Sequence, residues 1–270
     1  YIAEFKGLSH PALAGRKIGQ SFELMAASRL VAELEEEAAF GIAYGAKVTK
    51  PEWHGAENSV TLSELAEGQK DAVYGPRVTG DFATLIKFTQ ALNNSYQVHI
   101  KQGINLGHRQ AKPESWYYFE AGLATLGLKA GADPAEYQRR SHQIDAFAQS
   151  LSTQIKSEQL TLEAARQQLA DFIAQDHPNR FVNTVQIQAG QVVDLSQGGI
   201  HHSWEKSATL PLGNIVYEVQ VDVLDENCTL RSFDQGNIKD DGSVRPLSID
   251  EYFQALDSNP AANQVEQYLT

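Results

Sequence analysis

The chain has 270 residues, 42% of them apolar and 21% charged, which is the make-up of an ordinary globular protein able to bury a core and excludes a disordered chain. A formal charge of −12 argues against the cationic face that non-specific nucleic-acid binding needs, although a few local Lys and Arg can still hold a small anion. No apolar run approaches the roughly 20 residues that span a bilayer, no signal-peptide pattern opens the chain, and the lone cysteine, Cys228, excludes an internal disulfide, so a cytoplasmic protein without a membrane partner is expected.

Residues 1–20 read as loop, punctuated by Gly7, Pro11 and Gly15. The opening on Tyr1 rather than Met implies a natural chain that begins earlier. Ser28 is a cap for a short helix through Arg29–Ala39, where Leu30, Leu34 and Phe40 recur near helical spacing and Glu35-Glu36-Glu37 form a solvated face. Residues 41–74 carry no clean period, and Trp53 and His54 read as surface packing. Residues 81–99 predict two strands about a turn at Asn93-Asn94, the first alternating Ile86 and Phe88 with Lys87 and Thr89. The second puts Ser95, Gln97 and His99 on one face, because residues two apart on a strand project the same way. Lys112, Pro113 and Glu114 then lead into the aromatic run Trp116-Tyr117-Tyr118-Phe119, and the glycine-rich stretch 122–131 continues the sheet.

Asp133 as N-cap, followed by Pro134 and Glu136, predicts a helix with Ile144, Phe147 and Leu151 turned inward. A second helix from Thr161 carries Leu162, Ala165, Leu169 and Phe172 on its apolar stripe. Residues 133–176 thus read as a helical insertion between an N-terminal β segment, 1–132, and a C-terminal one, 177–270. Period two returns at Asn183. Residues 215–223 alternate most cleanly, with Ile215, Tyr217, Val219, Val221 and Val223 opposite Glu218, Gln220 and Asp222. Such an apolar face normally enters a core, though in a barrel the polar row can line a ligand cavity.

An imidazole, a carboxylate and an amide oxygen from adjacent strands, here His99, Glu114 and Gln97, make a mixed nitrogen and oxygen set suited to zinc or a similar divalent ion. The ligand that closes the set is sought in Gly198-Gly199-Ile200-His201-His202, where only one of the two adjacent histidines can face the ion. Lys112 lies two residues from Glu114 and faces the same cavity. His10, His54, His108, His142 and His177 read as surface residues.

In this order the segments resemble type I mannose-6-phosphate isomerase, a zinc-dependent family of the cupin superfamily. Ser95, Gln97 and His99 match its S-x-Q-x-H element, and Lys112 and Glu114 its K-[PT]-E element. Gly198 and His201 match G-T-x-H, with Gly199 in the threonine's place. Residues 21–24, 85–88, 229–231 and 241–249 match further family segments, so the resemblance runs over residues 15–256. It implies a mainly β, cupin-type jelly-roll barrel with the helical insertion, additional N-terminal strands and a short helix. It implies one Zn2+ per chain, held by His99, Glu114 and His201, with Gln97 as a weaker fourth ligand.

The implied activity is interconversion of mannose 6-phosphate and fructose 6-phosphate through an enediolate. In that reading Arg231, Lys112 and Glu218 are catalytic, and Ser95, Lys112 and Arg231 contact the sugar phosphate. Glu218 matches only the E-x-Q part of an acidic run that is otherwise eroded. Asn237 stands where the family has an arginine near the sugar-phosphate site. These departures leave open a divergent cupin that binds a sugar or metal as a sensor. The polar tail after Asp257 lacks the β segment with which the family continues.

Overall fold

The computed structural model describes residues 94–196, 198–203, 213–221, 223 and 225–270, and before them the backbone of six strands. The chain packs as two compact units, residues 1–90 with 215–223, and residues 91–214 with 224–270. The described elements are mostly antiparallel β structure. No helix among the described residues is long and apolar enough to cross a membrane.

In the first unit, β1 (Ser21–Leu24) pairs antiparallel with β6 (Thr84–Ala91), setting Phe22 against Phe88 and Leu24 against Ile86. A second sheet is built around β2 (Arg29–Val31), which lies between β4 (Ala46–Thr49) and β5 (Ser59–Thr61), with β3 (Ile42–Ala43) beyond β4. The helix expected from Arg29 is therefore corrected at its start: Arg29, Leu30 and Val31 form a strand. Leu30 pairs with both Val48 and Val60, so ladders on both edges satisfy the backbone. Non-local pairing of that kind overrides a weak local period. Residues 32–39, Trp53 and His54 lie outside the described residues.

The second unit holds a five-stranded antiparallel sheet. Its order is β10 (Val182–Ile187), β9 (Gly122–Leu128), β12 (His201–Ser203), β7 (Tyr96–His99) and β14 (Thr229–Phe233). Two further strands, β8 (Glu114–Tyr118) and β11 (Val192–Asp194), pair with one another. The C-terminal residues extend that pair, since Val192 and Thr270 exchange backbone hydrogen bonds and the Asp194 N–H donates to the Tyr268 carbonyl. The polar tail thus adds a β contact of its own.

Alternation gives the five-stranded sheet two distinct faces. Tyr96, Val98, Leu230 and Phe233 join the buried cluster formed with the helices, while Gln97, His99 and Arg231 project the other way. The helices are α1 (Pro134–Lys156) and α2 (Leu162–Gln175), with a single turn, α3 (Asp225–Cys228), and the short α4 (Ile249–Ala255). The Asp133 carboxylate accepts from the Ala135 N–H (2.9 Å) and the Thr161 hydroxyl from the Ala164 N–H (3.2 Å), so each long helix starts on a side-chain cap. Ile144, Leu151, Ala165 and Leu169 form the inward stripes. Arg140 is buried between the helices, donating to the Phe172 and Asp176 carbonyls at 2.7 Å each, which satisfies the otherwise orphaned end of α2.

The strand β13 (Asn214–Val221) departs from the simpler expectation. Glu218 and Gln220 are buried, whereas Tyr217, Val219 and Val221 are only half-buried. Alternation determines which residues share a face, not which face the fold covers more deeply.

These packing roles differ in energy. Leu169→Ala removes a fully buried side chain and should lower stability by about 2–5 kcal/mol. Asp133→Ala removes only an exposed cap and should lower it by about 1 kcal/mol. Urea denaturation of the two variants measures the difference directly, and equal losses would contradict the assignment.

Candidate metal centre

Three buried side chains from three strands converge inside the second unit. His99 ends β7, Glu114 begins β8 and His201 begins β12, and one donor atom from each lies within 4.8 Å of the others. None is more than 5% exposed. The antiparallel ladders account for the placement: β12 lies beside β7 with His201 opposite Gln97, so its ring stands next to that of His99 (centroids 4.5 Å apart).

The hydrogen bonds leave one nitrogen of this group without a partner. His99 Nε2 lies 2.8 Å from Glu114 Oε2, and its Nδ1 lies 3.3 Å from the Cys228 carbonyl. A neutral imidazole has one N–H, so it cannot donate to both oxygens, and the Thr229 hydroxyl, 3.5 Å from Nδ1, can donate to that nitrogen when it is bare. Burial lowers the His99 pKa despite the raising influence of Glu114, so a second proton is disfavoured. His201 is more explicit. Its Nδ1 donates to the Gly199 carbonyl (3.2 Å), while its Nε2 is buried without a partner. Burial, reinforced by the neighbouring His99, pushes its pKa down to about 3.

Glu114 has the opposite character. Burial opposes its ionisation, but the fields of His99 and Lys112 and the His99 hydrogen bond prevail, and its pKa falls well below the usual carboxylate range. Its Oε1 accepts from the Trp116 indole N–H (2.6 Å), and Lys112 Nζ lies 3.1 Å from Oε2. Two neutral imidazoles and one carboxylate, with an orphaned nitrogen lone pair among them, can hold a divalent cation. Three protein donors also match a site that keeps one coordination position open.

The other sequence-derived candidates fall into two groups. Gln97 shares the His99 face and donates to Ser95 Oγ (3.2 Å). Arg231 stands opposite Gln97 in the β7–β14 ladder and donates from Nε to the same hydroxyl (3.1 Å), so Ser95, Gln97 and Arg231 form one polar cluster on the metal-facing side of β7. Lys112 is buried at Glu114. Glu218 is buried on β13, which from Ile215 onward belongs to the first unit. His202 points away from the triad. It packs at a tilt against Tyr96 (centroids 4.9 Å, planes at 46°), contacts Thr125 Oγ1 and accepts from the Gln235 amide (2.9 Å). Burial also pushes its pKa to about 3. His108 and His142 are exposed, as expected, but His177 is half-buried and its Nδ1 caps the turn at Asn179.

Two contributors escaped the sequence reading. Trp116 is one, although its spacing of two from Glu114 already placed both on the same strand face. The other is Tyr268. A Cβ built on Gly199 would lie 1.8 Å from the Tyr268 hydroxyl oxygen, so the C-terminal tyrosine fills the volume that a threonine would need. Nothing local to Gly199 signals a neighbour 69 positions later in the chain.

Two outcomes test this description. Gly199→Ala should destabilise the protein by about 1–3 kcal/mol through overpacking, and adding Tyr268→Ala should remove most of that penalty. Additive losses in a double-mutant cycle would break the link. Metal-free protein should also weaken as pH falls from about 6.5 towards 3. In that window the unfolded chain protonates His201 and His202 while the folded chain keeps them neutral, at about 1.4 kcal/mol per histidine per pH unit. A urea midpoint unchanged between pH 7 and pH 5 would refute it.

The sequence matches no protein-family model, and no curated protein matches it. Solved structures do. Mannose 6-phosphate isomerase from Bacillus subtilis aligns at 21% identity and TM-score 0.46, covering 82% of this chain and 58% of that one. A zinc-bound mannose 6-phosphate isomerase aligns at 17% identity and TM-score 0.50, covering 99% of this chain and 72% of that one. A glutamate-to-alanine variant of phosphomannose isomerase from Salmonella typhimurium aligns at 16% and 0.51, covering 98% and 71%. The chain therefore spans only 58% of the length of the Bacillus protein. At these identities the likeness establishes architecture, and that architecture is the cupin-type β fold of the mannose 6-phosphate isomerases.

Proposed function

We propose that this protein is a divalent-metal-dependent aldose–ketose isomerase that interconverts mannose 6-phosphate and fructose 6-phosphate. The observation that carries the reading is the buried, unpartnered Nε2 of His201 beside His99 and Glu114. Structural neighbours that are mannose 6-phosphate isomerases, one of them zinc-bound, support the substrate class and the choice of zinc.

In this reading His99, Glu114 and His201 hold the ion, and Gln97 stands by on the same face as a fourth donor. Bound zinc supplies Lewis-acid stabilisation of negative charge on the sugar oxygens. A base removes the C2 proton of the open-chain aldose and returns it to C1, while the hydroxyl proton passes from O2 to O1, so the reaction balances without any other reactant. Lys112 is the proton-handling group we assign within the second unit. Lys112, held at 3.1 Å from Glu114 Oε2, adds positive charge where the enediolate forms. Arg231, oriented by Ser95, offers its planar fork to the phosphate.

The test is a coupled assay of mannose 6-phosphate turnover. Chelator should abolish activity and zinc should restore it. His201→Ala should lower kcat/KM by about a thousandfold or more, because a Lewis acid contributes several kcal/mol at roughly 1.4 kcal/mol per tenfold in rate. Zinc uptake without turnover would overturn the isomerase reading in favour of a cupin that binds metal or sugar without catalysis.

A further inference from the structure

We propose that Trp116 is a positioning residue that makes Glu114 a one-oxygen ligand and so keeps a coordination position open. The inference rests on the metal-binding reading of the triad. Trp116 follows Glu114 by two residues on β8, so both side chains leave the same strand face, and Trp116 is 3% exposed. Its indole N–H donates to Glu114 Oε1 at 2.6 Å, while Oε2 faces His99 Nε2 at 2.8 Å and Lys112 Nζ at 3.1 Å. The two carboxylate oxygens therefore have divided tasks.

The chemistry of the indole enforces the division. It carries one donor and no acceptor, so it can engage a carboxylate oxygen but cannot itself become a ligand. The same ring meets His201 edge-on, with centroids 5.6 Å apart and planes at 78°. One rigid side chain thus bears on two of the three donors. Without the N–H, both oxygens of Glu114 become available, and the carboxylate is free to turn towards two-oxygen binding. That would consume the position a catalytic site reserves for water or substrate. Groups that orient ligands in this way typically change metal affinity by about 10- to 100-fold when removed.

The decisive variant is Trp116→Phe in the full chain, which keeps an aromatic ring beside His201 while removing the N–H donor and part of the indole. Zinc affinity is measured by competition with a chromophoric chelator, and Co2+ absorption reports coordination number. The expected result is zinc binding about 10- to 100-fold weaker, with weaker visible Co2+ bands as coordination number rises and an unchanged circular dichroism spectrum. Unchanged zinc affinity together with an unchanged Co2+ spectrum overturns the inference while leaving the metal centre intact. Absence of metal uptake by the wild-type protein overturns both. If Trp116→Phe does not fold, the wild-type indole N–H resonance of Trp116 decides. Slow solvent exchange and a shift on zinc addition support the assignment, and fast exchange with no shift removes it.

Discussion

The second unit depends on a buried imbalance: the Nε2 of His201 lies beside His99 and Glu114 with no hydrogen-bond partner. An unsatisfied buried polar group costs about 1–3 kcal/mol, and adding protons is made worse by burial. A divalent cation would resolve the imbalance. It would accept both imidazole lone pairs and the carboxylate, which already favour the protonation states that binding would require. Metal binding at the triad would therefore be coupled to the folding stability of this unit.

Strand alternation is what allows one sheet to serve two purposes. Tyr96 and Val98 enter the apolar cluster against the helices, while Gln97 and His99 face the centre, and β14 repeats the division with Leu230 against Arg231. His201 and His202 divide in the same manner, one into the triad and the other against Tyr96. A register slip of one residue would exchange these roles and bury the wrong histidine at the centre. The helical cluster, held by capped helices and by Arg140, protects the register from behind.

The surroundings of the three candidate donors are as specific as the donors themselves. The Gly199 carbonyl sets the His201 tautomer, and Gly199 itself must lack a side chain because Tyr268 occupies the adjoining space. The glycine in a motif position where a threonine is expected is thus matched by a bulky residue elsewhere. The ladder between Val192 and Thr270 seats the tyrosine, so the last residues of the chain help shape a loop beside the centre.

Much of this was legible in the residues alone. The cap at Asp133, the start of the second helix near Thr161, the inward stripes of both long helices and the shared face of Gln97 and His99 follow from periodicity and local chemistry, which act over a few neighbouring residues. Tertiary structure decided the rest: that Arg29–Val31 pairs as a strand, that the polar row of β13 is the more deeply buried, that His201 rather than His202 turns inward, and that Trp116 and Tyr268 bear on the ligands. The reason is physical. A sequence period states which side chains share a face, but what covers that face, and which volume is already filled, depends on segments brought together from far along the chain.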